Sequence, residues 1–211
     1  MIKYNTLILL VITFITSIYF IVFVINYKNN NDKYNILFWD NDGTIVKSRN
    51  PNDNSNSRTI FPGISLKMEK AEFNCIISGF KSPESESRNF DPEKIIDQFT
   101  QLMKKLPITA VAFSPKIGGV ACYIIIKKGE KIIIKKAHQD PRYAHLIGRF
   151  KKPDIGMFVV MQDILLNEFG ININKENTAM IGDTWHDKAA SEKFGIKFIE
   201  AKTIHNTYSQ N

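Results

Sequence analysis

Cysteine is scarce in this chain: two residues, Cys75 and Cys122, in 211. Two thiols do not make a disulfide framework, and their spacing matches no zinc pattern. Cys75 stands inside an apolar run and reads as a buried, inert thiol. The chain is rich in asparagine but has no Asn-x-Ser/Thr sequon, so nothing in it advertises a glycosylated, lumenal protein. It has no internal repeat. Acidic side chains are in deficit, 21 against 28 Lys and Arg, giving a net charge of +7. A basic chain leans towards anionic partners such as nucleic acid, phosphorylated metabolites or anionic lipid. A composition rich in Lys, Ile and Asn also drifts basic with no partner at all. The hydrophobic share of 44% and charged share of 23% are those of an ordinary folded protein.

Charge is missing altogether between Leu7 and Ile25. An apolar run of about 20 residues spans a bilayer as a helix. Residues 1–26 therefore read as one N-terminal transmembrane anchor, with residues 27–34 as a polar linker. A secretory signal peptide is the rival reading, but its apolar core is shorter and ends at a small-x-small site, which this segment lacks. Lys3 lies on one side of the run, and Lys28 and Lys33 on the other. The faint excess after the run points to a single-pass membrane protein with its body on the cytoplasmic side.

Beyond the linker the chain becomes a body of alternating elements, residues 35–201, with residues 202–211 as a polar tail. Apolar runs at 36–39, 73–77, 108–113, 178–181 and 196–199 read as strands. Helical spacing appears over 64–72, 92–106, 154–169 and 186–194, with Pro92 in a first turn and Gly170 and Gly195 as stops. Residues 122–136 alternate around KKGEK and predict a β-hairpin. Strands alternating with helices argue a parallel α/β sheet. Residues 50–57, NPNDNSNS, read as a polar loop.

In an open parallel sheet, ligands bind beyond the carboxyl ends of the strands. Asp40 and Asp42 follow the first strand, Ser78 and Gly79 the second, and Asp183 and Asp187 the fourth. Lys152 stands just before a long helix. Taken singly, each is ordinary: Asp-Gly makes turns, Gly-Asp caps helices and Lys-Pro begins them. Taken together they gather carboxylates, a hydroxyl and an ammonium at one edge. Clustered carboxylates call for a cation, and a hard oxygen site suits Mg²⁺. A lysine and a hydroxyl beside Mg²⁺ suit a phosphoryl group.

DNDGT (40–44), Ser78 after CII, KKPDIGM (151–157) and IGDTWHD (181–187) resemble the four motifs of the haloacid dehalogenase (HAD) superfamily. The resemblance spans roughly 36–201. It implies a three-layer Rossmann-like fold with a central parallel sheet, and a Mg²⁺-dependent phosphohydrolase. It casts Asp40 as the nucleophile that forms an aspartyl-phosphate and Asp42 as the acid and base. Thr44, Ser78 and Lys152 hold the phosphoryl oxygens. Asp40, Asp42 (through its backbone carbonyl), Asp183 and Asp187 serve the metal, with Asp187 supporting either the metal or Lys152.

Short spacing between the first two motifs leaves room only for a small or absent cap. The stretch KKPDIGM looks most like the capless branch, which includes polynucleotide 3′-phosphatases and histidinol-phosphatases. The chain departs from that branch in reading Ser-Gly where Thr-Asn is usual, and in lacking the Cys/His zinc loop of its small-metabolite members. Ten Lys and Arg between 116 and 152 face only Glu130 and Asp140, interleaved with Tyr123, Tyr143 and Phe150. Such a surface can follow a nucleic-acid backbone or sit on anionic lipid. Equally, alternate lysines are the solvated side of a hairpin whose isoleucines form its apolar side. His186 either lines the site or lies at a helix-start surface, and His205 falls in the tail. The expectation is a phosphomonoesterase, with a polynucleotide 3′-phosphate as one substrate. A small-metabolite phosphatase, a phosphomutase and a tethered scaffold with little turnover are the alternatives.

Overall fold

Four consecutive apolar residues, Ile36–Trp39, form the first strand, β1, and all four are buried. A strand apolar on both faces belongs in the middle of a covered sheet. That is where a computed structural model of the chain places it, and the model describes residues 34–47, 59–79, 91–115 and 118–208. These belong to one compact unit, Tyr34–Asn211. In chain order, β1 is followed by α1 (Ile64–Met68), β2 (Phe73–Gly79), α2 (Pro92–Lys105) and β3 (Ala110–Ser114). Next come β4 (Tyr123–Lys128), β5 (Lys131–Lys136), α3 (Gly156–Phe169) and β6 (Thr178–Gly182). The chain closes with α4 (Trp185–Phe194), β7 (Lys197–Glu200) and α5 (Ala201–Tyr208).

Among the described residues seven strands form one sheet in the order β5-β4-β3-β2-β1-β6-β7. β1, β2, β3, β6 and β7 run parallel, and β4 and β5 are antiparallel. Alternation along β1 divides the core in two. Ile36 and Phe38 pack with Cys75 and Ile77 of β2 against Phe158 and Met161 of α3 and Ala190 and Phe194 of α4. Leu37 and Trp39 pack on the other face, with Ile64 of α1, Phe99 of α2 and Ile204 of α5. Phe38 meets Phe158 edge-on at 5.1 Å and Phe194 at 6.3 Å. Removing so enclosed a ring costs roughly 3–5 kcal/mol. Trp39 buries a polar Nε1 and satisfies it by donating to Asn74 Oδ1 (3.0 Å), while Asn74 Nδ2 donates to the Met68 carbonyl (2.9 Å).

Local chemistry sets the element ends. Asp91 caps α2 by accepting from the Glu93 amide, with Pro92 in the first turn. Gly170 closes α3 at φ 70°. The helix expected over 64–72 stops at Met68, because the amides of Glu72 and Phe73 donate to the Asn35 carbonyl at the start of β1. Residues 202–208, read as polar tail, are helical and bury Ile204. The hairpin extends the sheet: β4 pairs with β3 and β5 forms the outer edge.

The membrane expectation requires correction. Among the described residues no helix is long and apolar enough to cross a membrane. The segment on which the single-pass placement rested, residues 1–26, lies outside the described residues, as do the linker up to Lys33 and the polar loop at 50–57.

The chain leaves β1 towards β2 on one side, and β6 pairs on the other side of β1. Trp39 sits level with both Ile76 and Ile181. Loops diverging from adjacent parallel strands open a crevice at their carboxyl ends.

Candidate active site

Asp40 is the first residue past β1, and its amide still donates to the Ile181 carbonyl of β6 (2.9 Å). The turn then closes on itself. The amides of Thr44, Ile45 and Val46 converge on the Asn41 carbonyl (3.4, 2.9 and 3.1 Å), and the Gly43 amide donates to Val46 (2.8 Å). Gly43 takes φ +84°, and a Cβ there would lie 2.2 Å from Asp183 Oδ2. Glycine is required twice over, by the left-handed backbone and by the carboxylate lying against it. Gly182 is constrained by space alone: a Cβ there would fall 2.5 Å from the Asp187 Cβ.

Asp187 occupies the third position of α4 and forms a reciprocal cap with Thr184. Its Oδ2 accepts from the Thr184 amide (3.0 Å) and hydroxyl (2.6 Å). Its Oδ1 faces Lys152 Nζ at 2.5 Å. Lys152, 8% exposed, also donates to Asp40 Oδ1 (2.5 Å) and to the Ile77 carbonyl (2.9 Å). Three of the expected residues, Asp40, Lys152 and Asp187, thus form one buried charge group. Asp183 joins through proximity: one carboxylate oxygen each from Asp40, Asp183 and Asp187 lie within 4.8 Å of one another.

Burial pushes the Asp40 carboxyl up to about 6, with Lys152 pulling the other way and the charges of Asp187 and Asp183 adding to the rise. Burial alone would lower the Lys152 ammonium, but Asp40 and Asp187 outweigh it and hold the group above its ordinary value. Burial works to raise Asp187 as well, yet Lys152 and the Thr184 donors hold it below the usual carboxylate range. Two neighbouring carboxyls are therefore driven apart, one towards neutral pH and one firmly ionised. Environments that separate paired carboxyls in this way characterise sites of proton and nucleophile chemistry.

A cavity of about 290 Å³ opens on this group, lined by Asp40, Gly79, Lys151, Lys152, Thr184, His186 and Asp187. The other expected residues stand differently. Asp42 is half-buried in the turn, and its carboxylate is not part of the three-carboxylate cluster. Thr44 is fully buried, with its hydroxyl unpartnered, as is Asn41 Oδ1. Ser78 is buried at the end of β2, and its neighbour Gly79 lines the cavity in its place. His186, left open by the sequence, lines the cavity too. His205, expected in a tail, stacks on Phe61 (3.8 Å) and its Nε2 lies 2.9 Å from the Thr44 carbonyl, bracing the turn that carries Asp40. Nothing local in the sequence announces that contact across 161 positions; the i, i+3 pair Ala201 and Ile204 was the one local signal for the helix that carries His205.

The basic stretch is largely satisfied internally. Lys128 (2.7 Å) and Lys135 both pair with Glu168 of α3, and Arg142 pairs with Asp140 (2.7 Å) and Asp163 (3.2 Å). Lys127 donates to the Met103 carbonyl. Lys116 lies outside the described residues.

A parallel α/β sheet that brings an aspartate pair and a lysine to its switch point has the framework of a HAD-like phosphatase, and that is the class of this protein. The family model for polynucleotide kinase 3 phosphatase matches residues 28–206. The match covers most of the chain, which belongs to that family. The chain is also similar to a hydrolase of the haloacid dehalogenase-like family from Brucella suis 1330, known from its crystal structure. That similarity covers 82% of this chain and 90% of the other at 12% identity, with a TM-score of 0.40, too distant to bear on activity. No curated protein matches the chain.

Proposed function

We propose that this phosphatase is Mg²⁺-dependent and removes a terminal 3′-phosphate from a polynucleotide through an aspartyl-phosphate on Asp40. The observation that carries the reading is the Asp40–Lys152–Asp187 group, buried at one wall of an open cavity with Asp183 beside it. The polynucleotide substrate is favoured by the matched family's description. The residues present fit a hard cation. Carboxylates of Asp40 and Asp183 lie close together, and the Gly43 turn makes room for Asp183 where a Cβ would not fit. Both Asp187 oxygens are already engaged, so Asp187 serves Lys152, and the cation falls to Asp40, Asp183 and the Asp42 carbonyl. When bound, Mg²⁺ supplies Lewis-acid stabilisation of charge on the phosphoryl oxygens.

An Asp40 carboxylate oxygen attacks phosphorus in line. A P–O bond forms to Asp40 and the ester P–O bond breaks, while the Asp42 carboxyl gives its proton to the leaving 3′-oxygen. Asp42, now ionised, takes a proton from water. The water oxygen attacks phosphorus and frees Asp40 together with inorganic phosphate. Lys152 remains charged throughout, holding Asp40 ionised and offsetting repulsion between its carboxylate and the anionic substrate.

The test is phosphate release from a 3′-phosphorylated oligonucleotide, its 5′-phosphorylated isomer and a sugar phosphate, with and without Mg²⁺ and across a salt series. The 3′-phosphorylated oligonucleotide should be preferred, with kcat/KM falling as salt rises, and chelation or Asp40→Asn should abolish release. Equal turnover of the sugar phosphate without salt dependence would overturn the substrate class. Wild-type activity in Asp40→Asn would overturn the mechanism.

A further inference from the structure

Trp185 stands between Asp183 and Asp187, yet it serves none of the structural tasks of that turn. Thr184 and Asp187 cap the helix between them, and the Trp185 side chain is 66% exposed. A tryptophan left mainly in water forfeits the burial that normally accounts for its presence. Its ring nevertheless has a neighbour: it stacks on His186 with centroids 3.9 Å apart and planes 28° apart. His186 lines the Asp40 cavity, and Trp185 lines a second depression of about 330 Å³ together with Asp183, Lys188 and Phe198. Thr184 borders both. The Trp185–His186 pair therefore forms an aromatic ridge between the reacting carboxylate and an open hollow, on the turn that also carries Asp183.

We propose that Trp185 is the platform on which the base of the 3′-terminal nucleotide stacks, with His186 fixing the indole beneath it. Every base presents a π-face, so such a platform holds the end of a strand without reading its sequence. It also answers what the hairpin does not. The lysines of β4 and β5 are tied to Glu168 or to the Met103 carbonyl, or lie at the far edge of the sheet, so the grip on the nucleotide next to phosphorus falls to the ridge. The proposal rests on the polynucleotide reading above and adds a residue to it.

The test compares two 3′-phosphorylated single strands, identical except that one ends in a normal nucleotide and the other in an abasic sugar. The readout is the ratio of their kcat/KM values, from released phosphate. Stacking contributes about 1–3 kcal/mol per base, so the wild-type ratio should be roughly 5–150. In Trp185→Ala it should collapse towards 1, and Trp185→Phe should recover part of it. In the metal-free protein, oligonucleotide should quench tryptophan emission in wild type, while Trp185→Phe, which retains only buried Trp39, should show little quenching. A wild-type ratio near 1, or a ratio unmoved by Trp185→Ala, overturns the platform while leaving the polynucleotide reading standing. Failure of wild type to release phosphate from either strand, with turnover of a generic aryl phosphate, overturns both.

Discussion

Replacing Lys152 with methionine is the sharpest probe of the buried charge group. Methionine keeps the length of the side chain and its apolar stem, and removes only the ammonium. In the native protein that ammonium lies 2.5 Å from Asp40 Oδ1, 2.5 Å from Asp187 Oδ1 and 2.9 Å from the Ile77 carbonyl. Without it, two carboxylates face each other in a site where burial already lifts Asp40 to about 6. Removing one partner of a buried ion pair costs about 3–5 kcal/mol. Protonation of Asp40 caps that cost, because each unit of upward shift corresponds to only about 1.4 kcal/mol. The expected loss at pH 7 is therefore about 3 kcal/mol, the lower end of that range. For a unit of this size, each kcal/mol moves Tm by about 2–4 °C, so the midpoint should drop by about 6–12 °C.

The pH dependence carries the signature. Asp40 has a folded pKa above its unfolded value, so the folded state binds more protons and stability declines as pH rises through that window. In wild type the window closes near 6; in Lys152→Met it extends further up. The stability gap between the two should therefore widen above about pH 6 and narrow below it. Thermal melts by circular dichroism in chelating buffer, from about pH 5 to 8, read this directly, since a bound cation would mask it. Lys152→Met/Asp187→Asn removes the second carboxylate and should recover part of the stability but none of the activity. Coincident melts of wild type and Lys152→Met at every pH would refute the assignment of Lys152 as the counterion.

Gly43→Ala places a Cβ 2.2 Å from Asp183 Oδ2 at a left-handed backbone position; the chain should still fold, at a cost of about 1–2 kcal/mol, while Mg²⁺ affinity by calorimetry falls at least ~10-fold. Unchanged affinity would dissociate Asp183 from the metal. Because Asp40 must shed a proton to bind a cation, apparent Mg²⁺ affinity should decline about tenfold per pH unit below roughly 6; a flat profile across that range contradicts the Asp40 assignment. Burial pushes Cys75 up to about 12 and raises Cys122 as well, so neither should react with a thiol-specific disulfide reagent at about pH 8 until denaturant is added, and a stoichiometric reaction in the native protein counts against both placements.

Strands and the charged residues at their carboxyl ends were legible in the sequence because they are local. An apolar run ending in aspartate shows the strand, its carboxyl end and the charge that sits there. Other features depended on distance. Gly182 shows no need for glycine until Asp187, five positions on, folds back over it. The double duty of Asp187, capping Thr184 with one oxygen and binding Lys152 with the other, needs α3 and α4 in place before it can be seen. The hairpin is the instructive case, since one of its signals was readable. Ile124, Ile125 and Ile126 are an unbroken apolar run, and β4 is indeed buried on both faces within the sheet. β5 beyond it is exposed along most of its length and carries Lys131, Lys135 and Lys136 on the open edge. Charged side chains on an edge strand discourage pairing with another chain. That gives the hairpin lysines a reason for being there that involves no ligand, and Glu168 and the Met103 carbonyl occupy three of the neighbouring ammonium groups. The excess charge that first suggested nucleic acid thus sits mainly where the sheet needs it. On the polynucleotide reading, the groups left to meet a phosphorylated strand are few: Lys151 at the cavity wall, Arg149 exposed two positions before it, and the stacked pair of Trp185 and His186. With so few cations near the site, log kcat/KM should fall with log salt at a slope of about −1 to −2 for a single strand. A much steeper slope would return the hairpin to the interface.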